Sequence, residues 1–447
     1  MSIAKVLIIA GSDSGGGAGL QADIKAVATL GAHACTVVTA LTAQNTLGVT
    51  GVHPTPLDFV QEQYRAVADD IGMDAVKTGM LHSAELVGLV ARLLAGVAAP
   101  VVVDPVMVAT GGDRLLAADA VDAVRRQLIP LAAVVTPNLD EAGELLGRPV
   151  RNRADMAAAA RDLVAMGAAA ALIKGGHLEG EPGDMLFDGR REHFFSAPRI
   201  DTEHTHGTGC TLASAIAALL AQGRPLTEAV ARARLLVRRA IAGALDLGAG
   251  HGPVHAMADL APRLELGPAL EQMRRALERL EAAEGLGRLV PEVRSQLGYG
   301  LPGASGPDQV LAVAGRITSL AGRMKACGPP WPGASRHVAK IVLAAMARDP
   351  GKRAAMALRF DPATIERARH LGWRVGEFSR ADEPPEVKQA EGSTLEWGTG
   401  RVIDQLGLVP EVIFDRGEDG KEPVIRLLAA SPADIVDMVL QLAGEEA

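Results

Sequence analysis

Two glycine-rich runs stand where short apolar segments give way to helical patterns. Gly11-Ser12-Asp13-Ser14-Gly15-Gly16-Gly17-Ala18-Gly19 is the first. Glycines allow positive φ and close backbone approach to a ligand, and the helix that follows offers N–H groups to an anion. The run is not a P-loop, because no Gly-Lys-Ser/Thr follows, and it does not fit G-x-G-x-x-G. The second run, Thr205-His206-Gly207-Thr208-Gly209-Cys210, opens an apolar helix. Gly207, Thr208 and Gly209 can turn their N–H groups inward as an anion hole for a transferred phosphoryl group. The same partial charge is expected to lower the pKa of a thiol in the first turn, which makes Cys210 a candidate base. Read alone, Cys210 is also a small apolar residue starting a core helix.

Three further groups end apolar runs: Asp104-Pro105-Val106-Met107, Thr136-Pro137-Asn138-Leu139-Asp140-Glu141 and Ile173-Lys174-Gly175-Gly176-His177. In open α/β sheets ligands gather beyond the carboxyl ends of strands. Asp104, Asn138 and Glu141 suit Mg²⁺, in part through water, and Lys174 answers phosphate charge. Singly each group is a strand cap or a surface charge. Together they suit a magnesium nucleotide.

The elements that must position these groups alternate over the first 260 or so residues. Val6–Ala10, Thr36–Ala40, Ala75–Lys77, Val101–Asp104, Val134–Thr136 and Ala170–Lys174 read as buried strands. Between them lie helical spacings such as Leu57, Val60, Tyr64 and Val67, and the stretch Ala84–Leu94. The order predicts an α/β fold with a mostly parallel sheet flanked by helices. Phe187-Asp188-Gly189 marks a hairpin, and helices are expected over 210–222 and 226–245. Residues 268–284 form an amphipathic connecting helix with Leu270, Met273, Leu277 and Leu280 on one face. The domains are therefore expected at 1–262 and 285–445, joined by 263–284.

The second, smaller α/β pattern begins near Asp308. It predicts helices over 308–325, 335–348, 361–371, 399–407 and 432–442, with strands at 354–360, 373–378, 411–414 and 423–429. Its chemistry is quieter. Gly333-Ala334-Ser335-Arg336-His337 opens a helix with Ser335 as N-cap, where Arg and His can hold an anion. Arg316 is placed on the preceding helix. Glu391–Thr394 and the Asp415–Glu422 region read as polar loops or turns.

Composition closes off several classes. The chain has 447 residues and a net charge of −8, without the basic excess of a nucleic-acid binder. Hydrophobic residues at 48% and charged residues at 22% exclude large-scale disorder. Aromatics are only 3%, so Ala, Val, Leu and Ile must build the core. Cys35, Cys210 and Cys327 are sparse and odd in number, which argues for a reducing compartment. No apolar stretch reaches the roughly 18 residues of a membrane span. A cytoplasmic protein without membrane or nucleic-acid partners is expected, acting as a homodimer or higher homo-oligomer on small molecules.

On AGSDSGGGAGLQADIK (10–25), TALTAQNT (39–46), KTGML (77–81), DPVM (104–107), TPNLDEA (136–142), IKGGH (173–177) and THGTGCTLASA (205–215), the first part resembles the hydroxymethylpyrimidine/phosphomethylpyrimidine kinases of the ribokinase superfamily. Sugar kinases are disfavoured, since Cys210 stands where most of that superfamily has Asp. The resemblance implies two successive phosphoryl transfers from ATP with Mg²⁺, on the pyrimidine alcohol and then on its monophosphate. It also implies that Gln44 bonds the aminopyrimidine edge and that Met80 and Val106 line its faces. Asp23 and the Gly11 backbone would adjoin the hydroxymethyl group, Cys210 would take its proton, and Lys174 would contact ATP phosphates.

On AGRI (314–317), GASRHVAK (333–340), ALRFD (357–361), EGSTLEWG (391–398) and VIFDRGEDGKEP (412–423), the second part resembles ThiN-type thiamine-phosphate synthase domains. The resemblance implies that Arg316 and His337 form a functional pair for condensing the kinase product with thiazole phosphate. The rival reading is an active kinase tethered to a ligand-sensing module. A generic vitamin or sugar kinase with a structural tail is the third.

Overall fold

The computed structural model describes residues 3–108, 116–117, 119–176, 178, 182–258, 260–384, 393–418 and 420–444. His177, Glu391, Gly392 and Asp419 of the motifs above lie outside them. The chain divides into two compact units, Met1–Asp259 and Leu260–Ala447.

The first unit runs β1 Lys5–Ala10, α1 Gly19–Thr29, β2 His33–Val38, β3 Ala40–Asn45, β4 Gly48–Pro54, α2 Leu57–Ala68, β5 Ala75–Thr78, α3 Ala84–Leu94, β6 Val101–Val103 and α4 Ala120–Ala123. It continues through β7 Val134–Val135, α5 Leu139–Leu146, α6 Arg153–Ala165, β8 Ala171–Ile173, β9 Gly183–Phe187, β10 Glu192–Ser196, α7 Thr208–Ala221 and α8 Leu226–Ala242. Eight strands form one sheet in the order β10-β9-β8-β7-β6-β5-β1-β2. β2, β1, β5, β6, β7 and β8 are parallel, and β9–β10 is the expected antiparallel hairpin.

Leu7, Ile9 and Val76 face one apolar cluster with α2, α3 and α6, while Val6 and Ile8 face another with α7 and α8. Burial on both faces is why these strands read as continuous apolar runs. The segment expected at Thr36–Ala40 is split: β2 ends at Val38, and Ala40 starts the separate two-stranded ribbon β3–β4.

The second unit comprises α9 Leu260–Ala282, β11 Leu297–Gly300, β12 Val310–Val313, β13 Ile317–Leu320, β14 Arg323–Ala326, β15 Pro330–Pro332, α10 Arg336–Arg348, β16 Ala354–Arg359 and α11 Pro362–His370. β17 Val375–Glu377, α12 Ser393–Leu406, β18 Val412–Asp415, β19 Val424–Ala429 and α13 Pro432–Ala443 complete it. Its seven-stranded sheet has the order β15-β12-β11-β16-β19-β18-β17 and is antiparallel except at β17–β18. Met273, Leu277 and Leu280 of α9 belong to the core of this unit, beside Ile435 and Val439 of α13.

The helix expected over 308–325 does not form. Val310 and Ala312 pack into one core and Leu311 and Val313 into the other, the period-two alternation of a strand. Ala321 and Gly322 then take φ of 49° and 77°, the left-handed turn that closes the β13–β14 hairpin. Arg316 consequently sits in a turn between strands, at φ 73°, and not on a helix.

Candidate active site

The first-unit site is assembled at the carboxyl ends of β1, β5, β6, β7 and β8. Asp13 folds the first glycine run around its own carboxylate, accepting from the N–H groups of Gly15, Gly17 and Ala18 at 2.8, 3.0 and 2.7 Å. His206 Nε2 lies 3.0 Å from the same carboxylate, which ties the two glycine runs together. Burial works to raise the Asp13 carboxyl, but that bond and the Ala18 and Gly15 amides hold it below its usual range. Gly19, at φ 53°, has no room for a side chain, since a β-carbon there would stand 2.5 Å from the Gly11 carbonyl. Gly11 itself lies against Met80: a β-carbon at Gly11 would meet Met80 Sδ at 3.1 Å. Gln44, at the end of β3, places its amide nitrogen 3.3 Å from His206 Nε2. Gly11 thus lies against Met80 and Gln44 against the histidine that joins the two glycine runs, and Val106 follows Asp104 as a half-buried residue after β6.

Gly207 begins α7 at φ 82°. A β-carbon on it would come within 1.8 Å of the Gly17 carbonyl, so only glycine fits. The first intrahelical bond runs from Thr211 N–H to the Gly207 carbonyl at 2.9 Å. The amides of Gly209 and Cys210 precede it, at the helix's anion position. Lys174 Nζ reaches this turn, since a β-carbon at Gly209 would stand 3.1 Å from it. Gly207→Ala is expected to cut initial rates of phosphoryl transfer by about 10²-fold or more, because it displaces those amides. A variant with rates within twofold of the parent would show that the turn does not build the anion hole.

Lys174 Nζ also lies 2.9 Å from Asp104 Oδ1 and 3.7 Å from Glu141 Oε2. Burial by itself would push its ammonium down, but these carboxylates hold it above the usual lysine value. Asp104 is fully buried and takes a further bond from Thr136 Oγ1 at 3.1 Å. Burial raises the Glu141 carboxyl, partly opposed by Lys174. Asn138 and Glu141 form a capping box at the start of α5, each side chain bonding the other's backbone N–H. The Asn138 amide is therefore spent first on the helix, with any metal contact secondary. Two carboxylates converging on one cation offer the hard oxygens that Mg²⁺ takes, too few for an all-protein cage and suited to an ion shared with phosphates.

Two expectations change here. The Cys210 thiol is pushed up to about 11, first by burial and then by Asp23 and Asp104, against the pull of Lys77 and of the Gly19 amide. The helix terminus does not overcome that burial. Asp23, expected beside the hydroxymethyl group, is fully buried and its carboxylate is occupied by Lys77 at 2.9 and 3.0 Å and Ser214 Oγ at 2.7 Å. Lys77, a missed residue, is its equally buried partner. The available signal was a lysine inside the apolar run Ala75-Val76-Lys77-Thr78.

In the second unit Arg316 is exposed, and its guanidinium donates to the Val293 carbonyl. His337 is exposed in the first turn of α10, whose N-cap Ser335 makes no side-chain bond to the helix amides. Val338 packs on Gly298, which pairs with Ala312, so α10 starts over the end of β12 from which Arg316 departs. Among the described residues no hydrogen bond or ion pair joins the two side chains. A groove of about 610 Å³ between α9 and the β14–β15 segment, floored by Leu270, Leu277 and Trp331, includes neither. Asp415 was expected in a polar loop. It is instead buried at the end of β18, bonded to Arg380 at 2.7 Å and Arg426 at 2.8 Å.

A mostly parallel sheet with a glycine-turned helix start, a lysine and acidic groups at its strand ends defines a ribokinase-like phosphotransferase fold. Residues 13–255, more than half of the chain, match the family model for phosphomethylpyrimidine kinase. The chain belongs to the phosphomethylpyrimidine kinase family. Residues 272–441 match the model for thiamine-phosphate synthase ThiN. The chain is 55% identical over 249 residues to the hydroxymethylpyrimidine/phosphomethylpyrimidine kinase of Streptomyces coelicolor, covering 56% of this chain and 93% of that one. It is 54% identical over 252 residues to the thiamine biosynthesis bifunctional protein ThiED of Geobacter sulfurreducens, covering 56% of this chain and 51% of that one. Among solved structures it resembles an ADP complex of Bacillus subtilis pyridoxal kinase, with a TM-score of 0.55 and 37% identity over 58% of this chain and 100% of that one. Among the described residues no helix is long and apolar enough to cross a membrane.

Proposed function

We propose that this enzyme of thiamine biosynthesis phosphorylates 4-amino-5-hydroxymethyl-2-methylpyrimidine twice in its first unit and condenses the product with thiazole phosphate in its second. The observation that carries the kinase half is the convergence of Lys174 on both Gly209 and Asp104, a cation between an anion hole and a carboxylate. ATP phosphates would lie along the Gly207–Cys210 turn with Lys174 against them. Asp104 and Glu141 would hold Mg²⁺, which supplies charge neutralisation of the phosphates when bound. Gln44, Met80, Val106 and the Gly11 backbone would seat the pyrimidine. A glutamine amide offers such a ring both a donor and an acceptor.

In the first transfer the thiolate form of Cys210 takes the hydroxyl proton while the oxygen attacks the γ-phosphorus and ADP leaves with the electron pair of the broken bond. In the second the acceptor phosphate is already anionic and needs no base. Phosphorus NMR of the full chain with the alcohol, ATP and Mg²⁺ tests this: two ADP should form per pyrimidine, through a transient monophosphate. Accumulation of monophosphate with one ADP would refute the second step.

For condensation, departure of pyrophosphate leaves positive charge on the exocyclic carbon, shared with the amino group of the ring, and the thiazole nitrogen then forms the new bond. Arg316 would stabilise the departing anion, with His337 and the amides at the start of α10 beside it. The ligand-sensing alternative is not favoured, since the second unit matches a synthase domain.

A further inference from the structure

Lys77 lies on a central strand, bonded in register between β1 and β6, and is fully buried. Its ammonium is held by one carboxylate, itself braced from a second helix. Asp23 of α1 takes it at 2.9 and 3.0 Å, and Ser214 of α7 braces that carboxylate at 2.7 Å. Ser214 is four residues beyond Cys210, one turn along the same face of α7. The lysine also runs toward the strand's carboxyl end, because a β-carbon at Gly79 would stand only 2.8 Å from Nζ. The pair is therefore anchored to α7 one turn beyond Cys210, on the side of the sheet where that helix packs. An apolar pair of similar volume would hold the core about as well, so burying these charges calls for an electrostatic reason.

We propose that Lys77 is a positioning residue of the first phosphoryl transfer: its fixed ammonium supports the thiolate of Cys210, and Asp23 limits how much of that charge the sulfur receives. The inference rests on the kinase reading above. In the step itself the hydroxyl proton passes to the sulfur as the oxygen–phosphorus bond forms, and the electron pair of the broken bond leaves with ADP. The thiol then returns its proton to solvent. The charged groups facing Cys210 are Lys77 from β5, Asp23 from α1, Asp104 from the end of β6 and Lys174 from the end of β8. Of these, Lys77 exerts the strongest pull toward the thiolate, and Asp23 opposes it.

The test is alkylation of Cys210 by iodoacetamide as a function of pH, read by peptide mass spectrometry in the full chain without substrate. That readout is independent of the substrate assignment. Lys77→Met should move the midpoint up by about one pH unit or more, and Asp23→Asn should move it down. Lys77→Met should also slow the first transfer by about tenfold or more while sparing the second. Should Lys77→Met fail to fold, the double variant Asp23→Asn/Lys77→Met leaves no unpaired buried charge and should shift the midpoint up by less. A merely structural pair would move both single variants the same way or not at all. Either result overturns the proposal.

Discussion

Replacing Cys210 by alanine should lower phosphorylation of the pyrimidine alcohol by about 10²-fold or more, the usual contribution of a general base, and should lower phosphorylation of the monophosphate far less. The asymmetry follows from the acceptors. A hydroxyl must lose its proton as it attacks, whereas a phosphate oxygen arrives already deprotonated. The parent enzyme should show the same difference in its pH profile. With the thiol pushed up to about 11 by burial, the neutral thiol dominates below that value. The thiolate fraction then grows about tenfold for each unit of rising pH. The first transfer should therefore accelerate with pH across the neutral and mildly alkaline range, and the second should stay nearly flat. Initial rates with each acceptor supplied separately measure both. Equal, small losses in the two steps would make Cys210 a core residue at the start of α7.

The second large effect is expected at the turn after β12 and the start of α10. Arg316→Ala and His337→Ala should each abolish condensation, by about 10²-fold or more in turnover, while leaving both kinase steps at parental rates. A guanidinium aimed at developing pyrophosphate charge acts more strongly in the transition state than in the ground state. Its loss should therefore fall on kcat rather than on KM alone. Both side chains are exposed, so neither substitution opens a cavity or strands a buried charge, and folding should survive. At Arg316 the backbone itself stands at φ 73°, which alanine tolerates no worse than arginine. Pyrimidine pyrophosphate should accumulate in both variants. Full condensation activity in either would remove that residue from the site.

What could be read from the sequence follows the physics of burial. β1, β5, β6, β7 and β8 are enclosed on both faces, so their apolar runs stand out, and the acidic and basic residues ending them mark the site. The β3–β4 ribbon carrying Gln44 does not stand out, because Leu41 and Val52 are 54% and 44% exposed. In the second unit both cores are apolar, so the short strand Val310–Val313 looked like one stripe of a helix. Its faces separate only when the two clusters are seen. Lys77 and Asp23 are legible as residue types and not as partners, since 54 positions separate them in sequence. The rise in the Cys210 pKa likewise depends on how deeply the tertiary packing encloses the thiol.

One chain is expected to carry the pyrimidine alcohol through to thiamine phosphate. The direct measurement is mass spectrometry of products after this chain is supplied with 4-amino-5-hydroxymethyl-2-methylpyrimidine, ATP, Mg²⁺ and thiazole phosphate, with no other synthase present. Thiamine phosphate and free pyrophosphate should appear in equal amounts. Pyrimidine pyrophosphate that persists beside unconsumed thiazole phosphate would contradict it and leave the second unit as a ligand-sensing module.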